Sequence, residues 1–124
     1  TLAEHNQTGI KGEMIAANYL REKGYQIIEC NKKFGRAEID IIAKIGNEYV
    51  FVEVKTRKTA YFGFPEEAIN DKKIGLMTLA AELFCEEIAL NTEVRFDLIS
   101  LILQTGKPEI IHIEDAFFFG SEEF

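Results

Sequence analysis

Long apolar runs are missing from this sequence, and no stretch approaches the roughly 20 residues that a membrane-spanning helix needs. The sequence also shows no signal-peptide pattern, in which a basic segment is followed by an apolar segment and then by small residues. It has only two cysteines, Cys30 and Cys85, which are far apart and lack the spacing of a metal site. We therefore expect a cytoplasmic protein without membrane contact, in which both cysteines are buried thiols.

Positive charge is also scarce, because 14 Lys and Arg residues face 21 Asp and Glu residues, for a net charge of -7. This balance excludes a protein that coats nucleic acid non-specifically. The charge is uneven, however: residues 32–73 hold nine basic and seven acidic side chains, whereas the rest of the chain has a balance of -9. The 32–73 segment could receive a phosphate backbone, or it could form a mixed, solvated surface.

The sequence has no internal repeat, low-complexity segment or linker, so its 124 residues predict one domain, residues 1–124. Hydrophobic periodicity predicts seven elements in the order α-β-β-β-α-β-β. The helices are expected over residues 8–23, after a loose entry at 1–7, and from Pro65 or Asn70 to Glu87. The strands are expected over residues 25–30, the two arms of a hairpin within 37–57, and residues 93–103 and 109–118, with a basic loop at 31–36.

The hairpin carries the strongest chemical signal. Gly46-Asn47 suits a two-residue turn between strands rich in β-branched residues, and it sets a register in which paired residue numbers sum to 93. This register places Asp40 opposite Glu53 and Glu38 opposite Lys55, while Ile39, Ile41 and Ala43 share the apolar face. Adjacent carboxylates repel each other, and a divalent cation between them would relieve that repulsion. The alternative is a solvated sheet face on which Lys55 neutralises one acid.

The motif residues resemble a nuclease pattern. Glu13 in the first helix, Asp40 in the second strand and Glu53-Val54-Lys55 in the third are similar to the PD-(D/E)xK superfamily, which has a restriction-endonuclease-like α/β fold with a mixed sheet. More closely, the chain resembles the YraN-type family of small bacterial proteins, described as related to archaeal Holliday-junction resolvases. The matching stretches include Glu38–Ala43 and Val52–Arg57, with Ile39 standing where the superfamily name has proline.

The resemblance implies specific roles for these residues. Asp40, Glu53 and the Val54 carbonyl would hold Mg²⁺ or Mn²⁺, and Glu13 would approach from the helix as a direct or water-mediated ligand. Lys55 would orient the attacking water or stabilise charge in the transition state. Without the resemblance, Glu13 simply complements the dipole of its helix.

The resemblance implies a DNA endonuclease acting on branched or structured DNA. The expected nucleic-acid-binding residues are basic or polar and flank the hairpin or begin the second helix: Arg36, Thr56, Arg57, Lys58, Lys72 and Lys73. Two alternatives remain open, namely a catalytically silent nucleic-acid-binding adaptor and a protein-interaction domain. A homodimer is also expected, with partner surfaces at Tyr61–Phe64 or Phe117–Phe119.

Overall fold

The computed structural model describes residues 2–58, 70–104 and 106–116, with side chains described from residue 7 onward. Its elements follow the predicted order, so the α/β fold class is confirmed. The helices are α1 (Leu2–Glu22) and α2 (Asp71–Glu87). The strands are β1 (Gln26–Phe34), β2 (Ala37–Ile45), β3 (Glu48–Arg57), β4 (Val94–Ile102) and β5 (Glu109–Ile113).

The strands form one mixed sheet in the order β1-β2-β3-β4-β5. The β1–β2, β2–β3 and β4–β5 pairs are antiparallel, whereas β3 and β4 are parallel. A parallel pair needs a crossover connection, and α2 lies within the one that joins β3 to β4. Because these two strands are parallel, the end of β3 at Arg57 and the end of β4 at Ile102 meet at the same edge of the sheet.

Each helix covers one face of the sheet, and each face has its own apolar core. The α1 core includes Ala16, Ala17 and Leu20 packed with residues of β2, β3 and β4. The α2 core includes Met77 and Phe84 packed with residues of β1, β2 and β3. Both cores contain residues that are fully buried, so the sheet is the central layer of three.

Three boundaries differ clearly from the sequence-based predictions. The strand β5 ends at Ile113 rather than at residue 118. The helix α1 begins at Leu2, so residues 2–7 are helical rather than a loose entry. The strand β1 continues to Phe34, through most of the expected basic loop. Its polar residues Lys32 and Lys33 pair with β2, and Phe34 is buried, so backbone pairing outweighs the polar composition of this segment.

Both cysteines are free, but Cys30 is exposed on β1, so the expectation of a buried thiol is wrong for this residue. Its strand lies at the edge of the sheet, where side chains have fewer neighbours.

Neither α1 nor α2 has a stretch apolar enough, over sufficient length, to cross a bilayer. The expected partner surfaces at Tyr61–Phe64 and Phe117–Phe119 lie outside the described residues.

Candidate metal centre

The hairpin register is confirmed near the turn and changes further from it. The numbers of paired residues sum to 93 from Ile45–Glu48 to Ile41–Val52, which is the last pair of the β2–β3 ladder. The predicted ladder pairs of Asp40 with Glu53 and of Glu38 with Lys55 are therefore wrong. Instead, a carboxylate oxygen of Asp40, Oδ2, accepts a hydrogen bond of 2.8 Å from the backbone N–H of Val54.

The alternation of β2 also breaks at Asp40. Ile41 and Ala43 pack in the α1 core, whereas Ile39 packs in the α2 core with Ile42. The expectation that Ile39 shares a face with Ile41 and Ala43 is therefore wrong. The break coincides with the end of the β2–β3 ladder, so the two strands separate where the acidic side chains lie.

A cleft of about 230 Å³ lies at this separation, on the α2 side of the sheet. Its acidic lining residues are Glu38, Asp40 and Glu53. Burial raises the pKa of Asp40 to about 7, and the negative charge of Glu53 adds to the increase, while the Val54 N–H opposes it. The two acids thus share one cleft although they are not ladder partners.

A lysine from α2 occupies the same cleft. The ammonium group of Lys73 forms an ion pair with the Glu53 carboxylate, at 2.5 Å between Nζ and Oε2. The Glu53 side chain is only 13% exposed, whereas that of Lys73 is 37% exposed. The sequence indicated Lys73 as a nucleic-acid ligand and gave no sign of this ion pair, because the two residues are 20 positions apart.

Glu13 lies on α1, outside the lining of the acidic cleft. Its charge contributes to the raised pKa of Asp40, and its Oε1 accepts a hydrogen bond of 3.1 Å from the Asn31 amide. The preceding residue is Gly12, where an added Cβ would lie 1.9 Å from the Thr56 hydroxyl oxygen. This glycine therefore lets α1 approach β3 closely.

The remaining predicted residues lie outside the lining of the cleft. Lys55 is exposed, two positions beyond Glu53 on β3. Thr56 packs against α1, and the Arg57 carbonyl accepts a hydrogen bond of 2.7 Å from the Leu103 N–H. Three of the predicted nucleic-acid ligands have exposed side chains: Arg36, Lys58 and Lys72. Lys58 lines a shallow pocket of about 400 Å³ that also contains Lys11 and Thr8.

The donor set suits a metal ion that retains water. Across the described part of the chain, no three His, Cys, Asp or Glu side chains form a group that could hold a metal. Asp40 and Glu53 are two carboxylates in a cleft, and Mg²⁺ is usually held by one or two carboxylates together with several waters. Glu13, bonded to Asn31, would complete the set only through water or after rearrangement. The residues present therefore fit Mg²⁺ or Mn²⁺, with the Lys73 ammonium as a competitor.

Comparison with known proteins places the chain in a family. The model of "Uncharacterised protein family UPF0102" matches residues 12–101, well over half of the chain. The chain belongs to the UPF0102 family. This confirms the resemblance to the YraN-type family. A UPF0102 protein of Christiangramia forsetii is 47% identical over 118 residues, covering 95% of this chain and 99% of the relative. A UPF0102 protein of Syntrophomonas wolfei is 41% identical, covering 91% and 99%.

The UPF0102 match includes every residue of the candidate centre, from Gly12 to Lys73. It also includes part of a second polar cluster that our site prediction did not use. Buried Asp97 accepts two hydrogen bonds from Arg95, at 2.9 and 2.8 Å, and lies 2.7 Å from His112 Nε2.

The Arg95 guanidinium makes most of its hydrogen bonds in this cluster. Besides Asp97, it bonds the Tyr25 hydroxyl and lies within 3.5 Å of carboxylates of Glu48 and Glu114. Burial alone would raise the pKa of Asp97, but the hydrogen bonds and charges of His112 and Arg95 lower it. A groove of about 960 Å³ lies beside Arg95, but four of the five arginine N–H groups already donate hydrogen bonds. We therefore assign this cluster to stabilisation of the fold of this UPF0102 chain.

Proposed function

We propose that this protein is a metal-dependent endonuclease that hydrolyses phosphodiester bonds in DNA, with branched DNA as its preferred form. The observation that carries the proposal is the cleft where β2 and β3 separate, which brings together the carboxylates of Asp40 and Glu53. Two acids this close are unfavourable without a cation, because like charges in a shared site raise a pKa. A branched substrate is implied by the resemblance to resolvases.

The residues of the chain have distinct roles in this proposal. Asp40 and Glu53 would hold the metal with the Val54 carbonyl, while the hydrogen bond from the Val54 N–H fixes the Asp40 carboxylate. A bound Mg²⁺ or Mn²⁺ supplies Lewis acidity and a more acidic water. Lys55, exposed two positions beyond Glu53, would orient the attacking water or stabilise the charge that develops on the phosphate. Glu13 would act through water from the α1 side.

The basic residues near the centre would hold the DNA backbone. Lys58 and Lys11 line one pocket at the end of β3, beyond Lys55. Removing two phosphate contacts should reduce the slope of log affinity against log salt by about 1.8, since each contact contributes roughly 0.9 for duplex DNA. A Lys11→Gln/Lys58→Gln protein should show this reduction. Lys23→Gln/Lys44→Gln, at the opposite end of the sheet, is the matched control.

Cleavage assays test the enzymatic proposal directly. Linear, flapped and four-way DNA would be incubated with the protein and Mg²⁺ or Mn²⁺, alongside Asp40→Asn, Lys55→Met and Lys107→Met variants. Lys107 is exposed and lies outside the cleft lining, so we expect cleavage by the wild type and the Lys107 control, and its loss in the other two variants. Absence of cleavage on every substrate would refute the endonuclease. Full activity of Asp40→Asn would refute the assigned centre.

The ion pair between Lys73 and Glu53 favours a second candidate, a nucleic-acid-binding adaptor without catalytic activity. In such a protein the lysine ammonium permanently neutralises the acid that a metal would need. Metal binding discriminates the candidates, because the adaptor should bind DNA with the same affinity in Mn²⁺ and in EDTA. A homodimer and a cytoplasmic location remain predictions, and sedimentation at high protein concentration tests the first.

A further inference from the structure

Lys73 is anchored so that its side chain is directed into the acidic cleft. It lies in the first turn of α2, where its backbone N–H donates a hydrogen bond of 2.8 Å to the side-chain oxygen of the N-cap residue Asn70. A positive side chain is unfavourable at this end of a helix, because the macrodipole is positive there. The ion pair with Glu53 on β3 compensates for this position.

The ammonium group therefore binds a carboxylate oxygen that a divalent cation would also need. It binds Oε2 of Glu53 and lines the same cleft as Asp40. It thus lies beside both acids of the centre. Its neighbour Lys72 is exposed and lies outside the cleft lining. One lysine of the pair has a partner in the centre, and the other does not.

We infer that Lys73 is a tethered cation that competes with the divalent metal for Glu53 and, once displaced, binds a phosphate of the substrate. The inference rests on the proposed function and adds regulation of the same centre. A displaced ammonium close to a bound divalent cation is repelled by it. That repulsion is relieved when a phosphate lies between the two positive charges. Metal and nucleic acid therefore bind with positive coupling, and each raises the affinity for the other by the same factor.

The coupling has an expected size. Coupling between two sites of one protein is typically 5-fold to 150-fold in affinity. We expect DNA to increase the affinity of the protein for Mn²⁺ by a factor in this range. Replacement of Lys73 by methionine removes the competing charge but keeps an apolar side chain of similar length. This variant should bind Mn²⁺ at least 5-fold more tightly without DNA, and DNA should change that affinity little.

The experiment measures Mn²⁺ binding to the whole chain by electron paramagnetic resonance at pH 8, with and without a four-way DNA junction. Every protein would carry Lys55→Met, so that bound DNA is not cleaved. Lys73→Met is compared with Lys72→Met, which removes the same charge one residue away. Lys73→Arg keeps a positive charge in the cleft and should retain the weak Mn²⁺ binding of the parent.

The outcomes separate the inference from the function on which it rests. Tighter Mn²⁺ binding by Lys73→Met alone, together with loss of the DNA effect, supports the inference. Equal Mn²⁺ affinities for Lys73→Met and Lys72→Met would overturn it and leave the endonuclease in place. An unchanged DNA effect in Lys73→Met would also overturn it. Absence of Mn²⁺ binding by all the proteins would overturn both the inference and the proposed function.

Discussion

The raised pKa of Asp40 predicts that removing its charge will stabilise the metal-free protein. Burial and the neighbouring Glu53 raise this pKa from 3.8 to about 7. In Asp40→Asn, an uncharged amide takes the place of the carboxylate with nearly the same shape. Its oxygen can still accept the hydrogen bond that the Val54 N–H donates to Asp40. The substitution therefore isolates the effect of the charge.

The size and direction of the effect follow from the shift in pKa. A difference of about three pKa units corresponds to roughly 4 kcal/mol as an upper limit, at 1.36 kcal/mol per unit. The carboxyl group keeps some contact with solvent, so we expect about 1–3 kcal/mol at pH 8. Between pH 4 and 7 the folded state binds a proton that the unfolded state has lost, so the wild type loses stability as the pH rises. The gain in the free energy of unfolding of Asp40→Asn over the wild type is therefore largest above pH 7 and disappears below pH 4.

Thermal unfolding in EDTA, followed by circular dichroism at pH 8 and pH 4.5, measures this difference. In a domain of this size 1 kcal/mol corresponds to about 4 °C. We expect Asp40→Asn to melt about 4–12 °C above the wild type at pH 8 and to keep a small part of that gain at pH 4.5. Glu38→Gln, which removes an exposed charge from the same cleft, is the control. A lower melting temperature for Asp40→Asn at pH 8, or a gain independent of pH, would refute the reasoning.

Two further predictions concern the packing of α1 and the buried polar cluster. Gly12→Ala should destabilise the protein by about 1–3 kcal/mol in urea unfolding, because the new methyl group would overlap Thr56. Gly9→Ala, whose methyl group would meet nothing within 4 Å, should instead stabilise it by roughly 0.5–1 kcal/mol. Asp97→Asn should cost about 3–5 kcal/mol at neutral pH, because it leaves half-buried Arg95 without its main counter-charge. That cost should shrink in acid, as the lowered pKa of Asp97 is approached, and a stability profile from pH 2 to 7 would detect the change.

The start of the hairpin could be predicted from the sequence because its register depends on local residues. The Gly46-Asn47 turn sets which residues pair next to it, and pairing from Ile45–Glu48 to Ile41–Val52 follows that register. The point at which the β2–β3 ladder ends depends instead on a hydrogen bond from the backbone N–H of Val54 to the side chain of Asp40. No periodic pattern encodes such a bond, so the sequence placed Asp40 and Glu53 in one site but gave the wrong pairing between them.

The buried face of α1 shows a second limit of hydrophobic periodicity. Ile10 and Met14 have the helical spacing of a buried face, but their side chains are 60% and 62% exposed. The buried residues of α1 are instead Gly12, Ala16, Ala17 and Leu20, of which only Leu20 is large. Close packing of a helix on a sheet favours small side chains at the point of contact, since a larger one would separate the two elements. Hydrophobic periodicity therefore locates Leu20 on the buried face but misplaces Ile10 and Met14.

Lys73 shows why the ion pair in the candidate centre could not be predicted from the sequence. A lysine in the first turn of a helix opposes the macrodipole and therefore indicates an anion nearby. The sequence cannot distinguish an external phosphate from an acid elsewhere in the chain, and the fold supplies Glu53 as that acid. Lys73 could pair with both anions in turn, because a divalent cation that binds Glu53 would leave the lysine without a partner until a phosphate arrives. The residue that first suggested a nucleic-acid ligand can therefore act as one only after the metal has bound.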